Sequence, residues 1–242
     1  NKISREEEIS FLKKNGIKLN WDEKKYSINK GLWGTSIGGK ETLRSRHSIP
    51  ENAYPSKVDK KKEENITLKF KKGQIEAVNN IKASPVENIK KIEEIANKFG
   101  VGRDTHVGDT IIGIKGRVGF QAAAPILIIK AHHLLEKHTL TKWQLIYKEQ
   151  LCINYGLLLH EGQYLDPVMR DIEEFLISSQ KNVSGDVFIK LKPYRYELVG
   201  IKSKFDLMDS KFGNYGEMNK KWSADEVKGF IKILSNQNKI YQ

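Results

Sequence analysis

The chain of 242 residues is 38% apolar and 30% charged, enough to build a core and too apolar for wholesale disorder. Its 42 Lys and Arg stand against 30 Asp and Glu, a formal charge of +12, and its longest apolar stretch falls short of the roughly 18–20 residues that span a bilayer. A single cysteine, Cys152, excludes an intramolecular disulfide framework and a cysteine-based zinc site, and points to the reducing cytoplasm. No signal-peptide pattern opens the chain, and Asn1 in place of Met reads as a fragment, a processed product or an incomplete chain.

Ser4 with Glu7 three residues on has capping-box spacing, which predicts a helix to about Asn15, stopped by Gly16. Residues 17–65 read as polar and irregular, locally rich in glycine, with an exposed charged loop over Lys57–Glu64. Ile66–Phe70 alternates apolar and polar residues as a half-buried strand does, and Lys72-Gly73 turns it into a second strand, Gln74–Val78. Ser84-Pro85-Val86-Glu87 opens a helix whose Ile89, Ile92, Ile95 and Phe99 share one face, with Gly100 at its end.

Thr110–Lys115 reads as a short strand, and Ala122–Lys137 as a buried apolar helix. Leu140–His160 and Pro167–Lys181 are two further helices. Val187–Leu191 and Arg195–Ile201 form a second hairpin, and Ser223 with Glu226 opens a C-terminal helix. Helices and hairpins alternate without the rhythm of a parallel sheet. The fold class is therefore α+β: antiparallel strands packed with several helices, ending in a C-terminal helix.

No phosphate loop of the G-x-x-x-x-G-K-[ST] type occurs, and Gly100-Val101-Gly102 follows a helix rather than a strand. The six histidines show no metal-ligand spacing, so no metal site is expected. Cys152, between Leu151 and Ile153, reads as a small buried hydrophobe. Two regions invite a ligand. Tyr26–Gly39 combines serines, glycines and aromatics: hydroxyls bond a small polar ligand, and glycine lets backbone N–H groups approach. Gly100–Pro125 is also glycine-rich and brings Arg103, Lys115 and Arg117 close in sequence. On a strand, Lys115 and Arg117 share a face, suited to a carboxylate or phosphate; the plainer reading is a solvated strand face.

These regions resemble the C-terminal, synthetase part of the argininosuccinate synthase family. The family's substrate loop Y-S-x-x-x-N-L-W-G-x-S is matched by Tyr26-Ser27 through Gly31-Leu32-Trp33-Gly34-Thr35-Ser36, with Gly31 in place of Asn. G-V-G-R stands as Gly100-Val101-Gly102-Arg103, and G-x-K-S-R as Gly113-Ile114-Lys115-Gly116-Arg117. Gly162–Pro167, Ser179–Val187 and Gly229-Phe230-Ile231 resemble three later motifs in order.

The resemblance implies an ATP-dependent ligase of arginine biosynthesis. The citrulline ureido oxygen attacks the α-phosphate of ATP and releases pyrophosphate; the aspartate amine then displaces AMP. ATP and magnesium would serve the full enzyme and none would be bound by this chain, because the family's pyrophosphate loop lies in a nucleotide-binding domain. Residues 1–17 resemble the tail of that domain, and 18–242 the synthetase domain with its substrate loop and oligomerisation elements. The family's citrulline-binding serines fall on Ser27 and Ser36. Its Glu and Tyr contacts fall on Gly108 and Phe120, neither type being retained.

The lost Glu points to an N-acyl-citrulline, whose blocked amine needs no carboxylate and whose acyl carboxylate Lys40, Lys115 or Arg117 would meet. Alternatively Asp104 or Asp109 replaces the Glu. A homo-oligomer, a tetramer as in the family, is expected. Two further readings compete. One is a basic nucleic-acid-binding module, drawn from +12 and a pI near 9.5; the other is a non-catalytic assembly domain. The basic residues gather on no single helix or stripe, so no nucleic acid and no membrane partner is expected.

Overall fold

Every capping signal in the sequence starts a helix in the computed structural model, which describes residues 3–18, 26–208 and 221–241. Ser4, Ser84 and Ser223 accept from the amides of Glu7, Glu87 and Glu226, whose carboxylates reach back to the cap; these boxes open α1 (Arg5–Lys14), α2 (Pro85–Asn97) and α6 (Ala224–Leu234). The serine contacts hold all three carboxyls below their usual range. A fourth box, Thr141 with Gln144, opens α4 (Lys142–His160) just after α3 (Ala123–Thr139). Helix α5 (Pro167–Ser179) ends in a 3-10 turn, Gln180–Asn182, and α7 is Asn236–Tyr241.

The strands form two antiparallel sheets, so the α+β class holds. The larger has the order β5-β4-β3-β8-β9, from β3 (Glu64–Lys71), β4 (Gln74–Val78), β5 (Ile81–Lys82), β8 (Gly185–Lys192) and β9 (Arg195–Lys202). Ile66, Leu68 and Phe70 of β3 and Val187, Ile189 and Leu191 of β8 alternate onto one face. There they meet Ile92 and Ala96 of α2 and Leu127, Ala131 and Leu135 of α3 in the main core. Each such side chain contributes about 1.5–3 kcal/mol by leaving water.

The second sheet has the order β1-β2-β7-β6, from β1 (Ser27–Gly31), β2 (Gly34–Gly38), β6 (Arg103–Asp109) and β7 (Lys115–Gln121). It corrects two expectations. Residues 27–38 form a tight hairpin rather than an irregular loop; β1 buries no side chain, so it lacks the alternation that marks a strand. Thr110–Lys115 is not a strand: Thr110–Ile114 is the turn that leads into β7 at Lys115, closed by the Thr110 amide and hydroxyl donating to the Ile114 carbonyl at 3.2 and 2.6 Å. Its Ile111, Ile112 and Ile114 are exposed, and that apolar run imitated a strand.

Candidate functional site

Strand pairing decides which side chains of the smaller sheet meet. Residues opposite one another in an antiparallel pair share a face, and faces alternate along each strand. Asn29 stands opposite Ser36, Ser36 opposite Phe120, and Phe120 opposite Asp104, so these four make one row across all four strands. Ser27 opposite Gly38, Val118 opposite His106, and Gly116 opposite Gly108 continue the same face. Ser27, Ser36, Gly108 and Phe120 therefore lie together on what we call the front of the sheet. Ser27, Asn29, Asp104 and His106 are exposed there; Ser36, Gly108 and Phe120 are half-buried.

His106 shapes this face. Its ring meets Phe120 nearly edge-on, with centroids 6.3 Å apart. It also leans over Gly108, where a Cβ would come 2.7 Å from its Nε2. One Asp104 carboxylate oxygen accepts from the Thr105 amide at 2.7 Å, leaving the other oxygen for a ligand. The face thus offers two hydroxyls, an amide, a carboxylate and an imidazole around an aromatic edge.

The rear of the sheet is closed by residues 41–56. Ile37 is fully buried against Ile49 and Ala53, with Tyr26 and Tyr54 beside them. The Arg117 guanidinium donates to the carbonyls of Glu41, at 3.0 Å, and Arg44. The Ser56 hydroxyl donates to Gln121 at 2.8 Å. Arg103 reaches Glu51 and the Ser56 carbonyl and lies 4.6 Å from the Tyr54 ring centre. Burial raises the Tyr54 phenol, against the pull of Arg103. Gly102, at φ +76°, permits the junction of β6 with α3, because a Cβ there would sit 2.6 Å from the Ala122 carbonyl.

Lys115 and Arg117 share a face, as their spacing predicts, but it is the rear one. Arg117 is spent on main-chain carbonyls, and Lys115 pairs with Asp109. Of the two candidate replacement carboxylates, Asp104 is on the front and Asp109 on the rear. Sequence reasoning missed Asn29 and His106. Both become visible once the strands are known, since each lies an even number of residues from a front-facing neighbour.

A second polar cluster lies between α3, α4 and the 3-10 turn. Fully buried Glu136 accepts from Lys148 at 2.6 Å and from Gln180 Nε2 at 2.9 Å. Cys152 is half-buried beside it, its thiol pushed up by burial. His132, Lys148, Cys152 and Gln180 line a cavity of about 920 Å³ there.

The chain is thus an α+β domain with one polar sheet face backed by a strapped loop. The arginosuccinate synthase C-terminal domain family matches residues 26–241, and the chain belongs to that family. It is 36% identical to the argininosuccinate synthase of Methanocaldococcus jannaschii over 99% of its own length and 61% of that protein's. Against that of Dictyoglomus thermophilum it is 33% identical over 99% of its length and 60% of the relative's. Against that of Pyrococcus furiosus the figures are 34%, 98% and 58%. The chain thus spans about three-fifths of the length of the curated relatives it matches. Among the described residues no helix is long and apolar enough to cross a membrane.

Proposed function

We propose that this chain is the citrulline- and aspartate-binding part of an ATP-dependent ligase that forms argininosuccinate, working with a nucleotide-binding domain of the family's kind. The observation that carries this reading is the gathering of Ser27, Ser36, Gly108 and Phe120 on one sheet face, from two segments far apart in sequence. In the reaction the ureido oxygen attacks the α-phosphate of ATP, pyrophosphate leaves, and the aspartate amine displaces AMP. ATP with magnesium is substrate of the two-domain enzyme, and no phosphate loop stands in this sequence to hold it. The chain's own residues position the substrate: Ser27 and Ser36 bond its polar groups, and Asp104 faces its ammonium. Alignment of this kind supplies a large share of such rate enhancements. Lys115 pairs with Asp109 on the rear, and Arg117 holds the strap behind the face.

Gly108 favours a second reading, an N-acyl-citrulline substrate, because it offers no carboxylate to a substrate ammonium, although the His106 ring fills the space beside it. Asp104, in one row with Ser36 and Phe120, favours free citrulline and is the reading we adopt. Joined to its nucleotide-binding domain, the enzyme should show higher kcat/KM for citrulline than for acetyl- or succinyl-citrulline; the reverse order selects the acylated substrate. Ser27→Ala and Ser36→Ala should each raise the citrulline KM by the equivalent of about 1–3 kcal/mol. Unchanged kinetics in both would remove this face from the site. The chain alone should release no AMP.

A further inference from the structure

The larger sheet has a second, open face. Helices α2 and α3 cover the side that carries Leu68 and Val187, while Phe188, alternating to the other side, is 38% exposed. On that open side the register sets Lys82, Ala77, Lys69, Asp186 and Lys202 opposite one another, a single row running through all five strands. At the end of the row the chain adds Lys71 from the end of β3, Lys72 from the β3–β4 turn, Lys181 from the 3-10 turn and Lys204 beyond β9. Together they surround a groove of about 600 Å³.

Seven lysines line this groove against two carboxylates, Glu76 and Asp186. Lys82 pairs with Glu76 at 3.3 Å. Among the described residues, none of the other six makes an ion pair, and one Asp186 oxygen is buried without a hydrogen-bond partner. Like charges gathered around one groove repel one another, and a bound polyanion would offset that repulsion. The lysines lie between positions 69 and 204, which is why the sequence shows no basic stripe.

The side-chain types say what kind of anion fits. Lysine is a point charge that suits phosphate, and the groove contains none of the guanidinium forks that read planar groups. It also lacks a surface on which bases stack. Phe70 is buried, and the Phe205 ring is taken by Lys204, 4.8 Å from its centre. Phe188 stands outside the groove, one row away. We propose that this groove binds an oligophosphate chain of three or more linked phosphates, whether free or as the tail of a nucleotide.

Calorimetry with inorganic triphosphate, orthophosphate, ATP and a single-stranded oligouridylate tests this at about 0.15 M salt, where interactions between distant exposed charges are largely screened. Triphosphate should bind and orthophosphate should bind far more weakly. The variant Lys71→Gln/Lys181→Gln/Lys202→Gln should weaken triphosphate binding about tenfold or more. The variant Lys57→Gln/Lys61→Gln/Lys62→Gln, with the same change in charge, should leave it within about twofold, as expected for lysines outside the groove. Comparable affinity for ATP and triphosphate would show that the phosphate tail is what is read. Equal losses in both variants, no binding of triphosphate, or tighter binding of ATP or oligouridylate than of triphosphate would each overturn the proposal.

Discussion

His132 shows how one buried titratable group couples this fold to pH. Its side chain is 20% exposed, and its Nε2 lies 2.8 Å from the Gln180 carbonyl oxygen. Because Gln180 donates its amide to Glu136, that oxygen accepts from His132, which fixes the neutral tautomer with hydrogen on Nε2. Burial lowers the His132 pKa, with Glu136 and the Gln180 bond opposing in part. As pH falls through about 6.5 the unfolded chain takes up this proton before the folded one does, so stability falls with it. Urea midpoints should therefore decline from about pH 7.5 toward about 5, a range that brackets an ordinary histidine pKa. The decline should be shallower in His132→Asn, and an identical slope would exclude His132 as its source.

Helices α3 and α4 are tied by the contact of Lys148 with Glu136. Lys148→Met leaves a fully buried carboxylate with Gln180 hydrogen-bonded to it and His132 and His133 each 3.7 Å away, and should cost about 3–5 kcal/mol in urea unfolding. Glu136→Leu/Lys148→Met should cost clearly less, since no charge is then stranded. Elements announced by their own ends were legible in the sequence: Ser84-Pro85 with Glu87 needs no tertiary contact to start a helix. The hairpin of β1 and β2 was hidden because its outer strand buries nothing, and β6 and β7 were displaced by three exposed isoleucines in their turn. Ser27 and Ser36 could be singled out from the loop motif, yet their common face depends on pairing. The spacing of Lys115 and Arg117 was read correctly, but only the strap of residues 41–56 makes their side the rear.

At the scale of the whole molecule, large apolar side chains stand exposed on two helices. Trp143 is 62% exposed and Ile153 72% on α4, while Phe230 is 63% and Ile233 70% on α6. Patches of this kind mark sites of association. Light scattering should give a mass above 27.8 kDa, and Phe230→Glu/Ile233→Glu should lower it; a monomer before and after would remove α6 as a contact. The two-sidedness of the smaller sheet bears on which length changes the chain can absorb. One residue inserted between Gly116 and Phe120 would rotate Phe120 into the strap and put a neighbour among the serines, because pairing has a period of two. The same insertion at Ile111 or Ile112, in an exposed turn, would disturb neither side. Within β7, then, a change of residue type is a local event, whereas a change of length exchanges the two surfaces of the sheet.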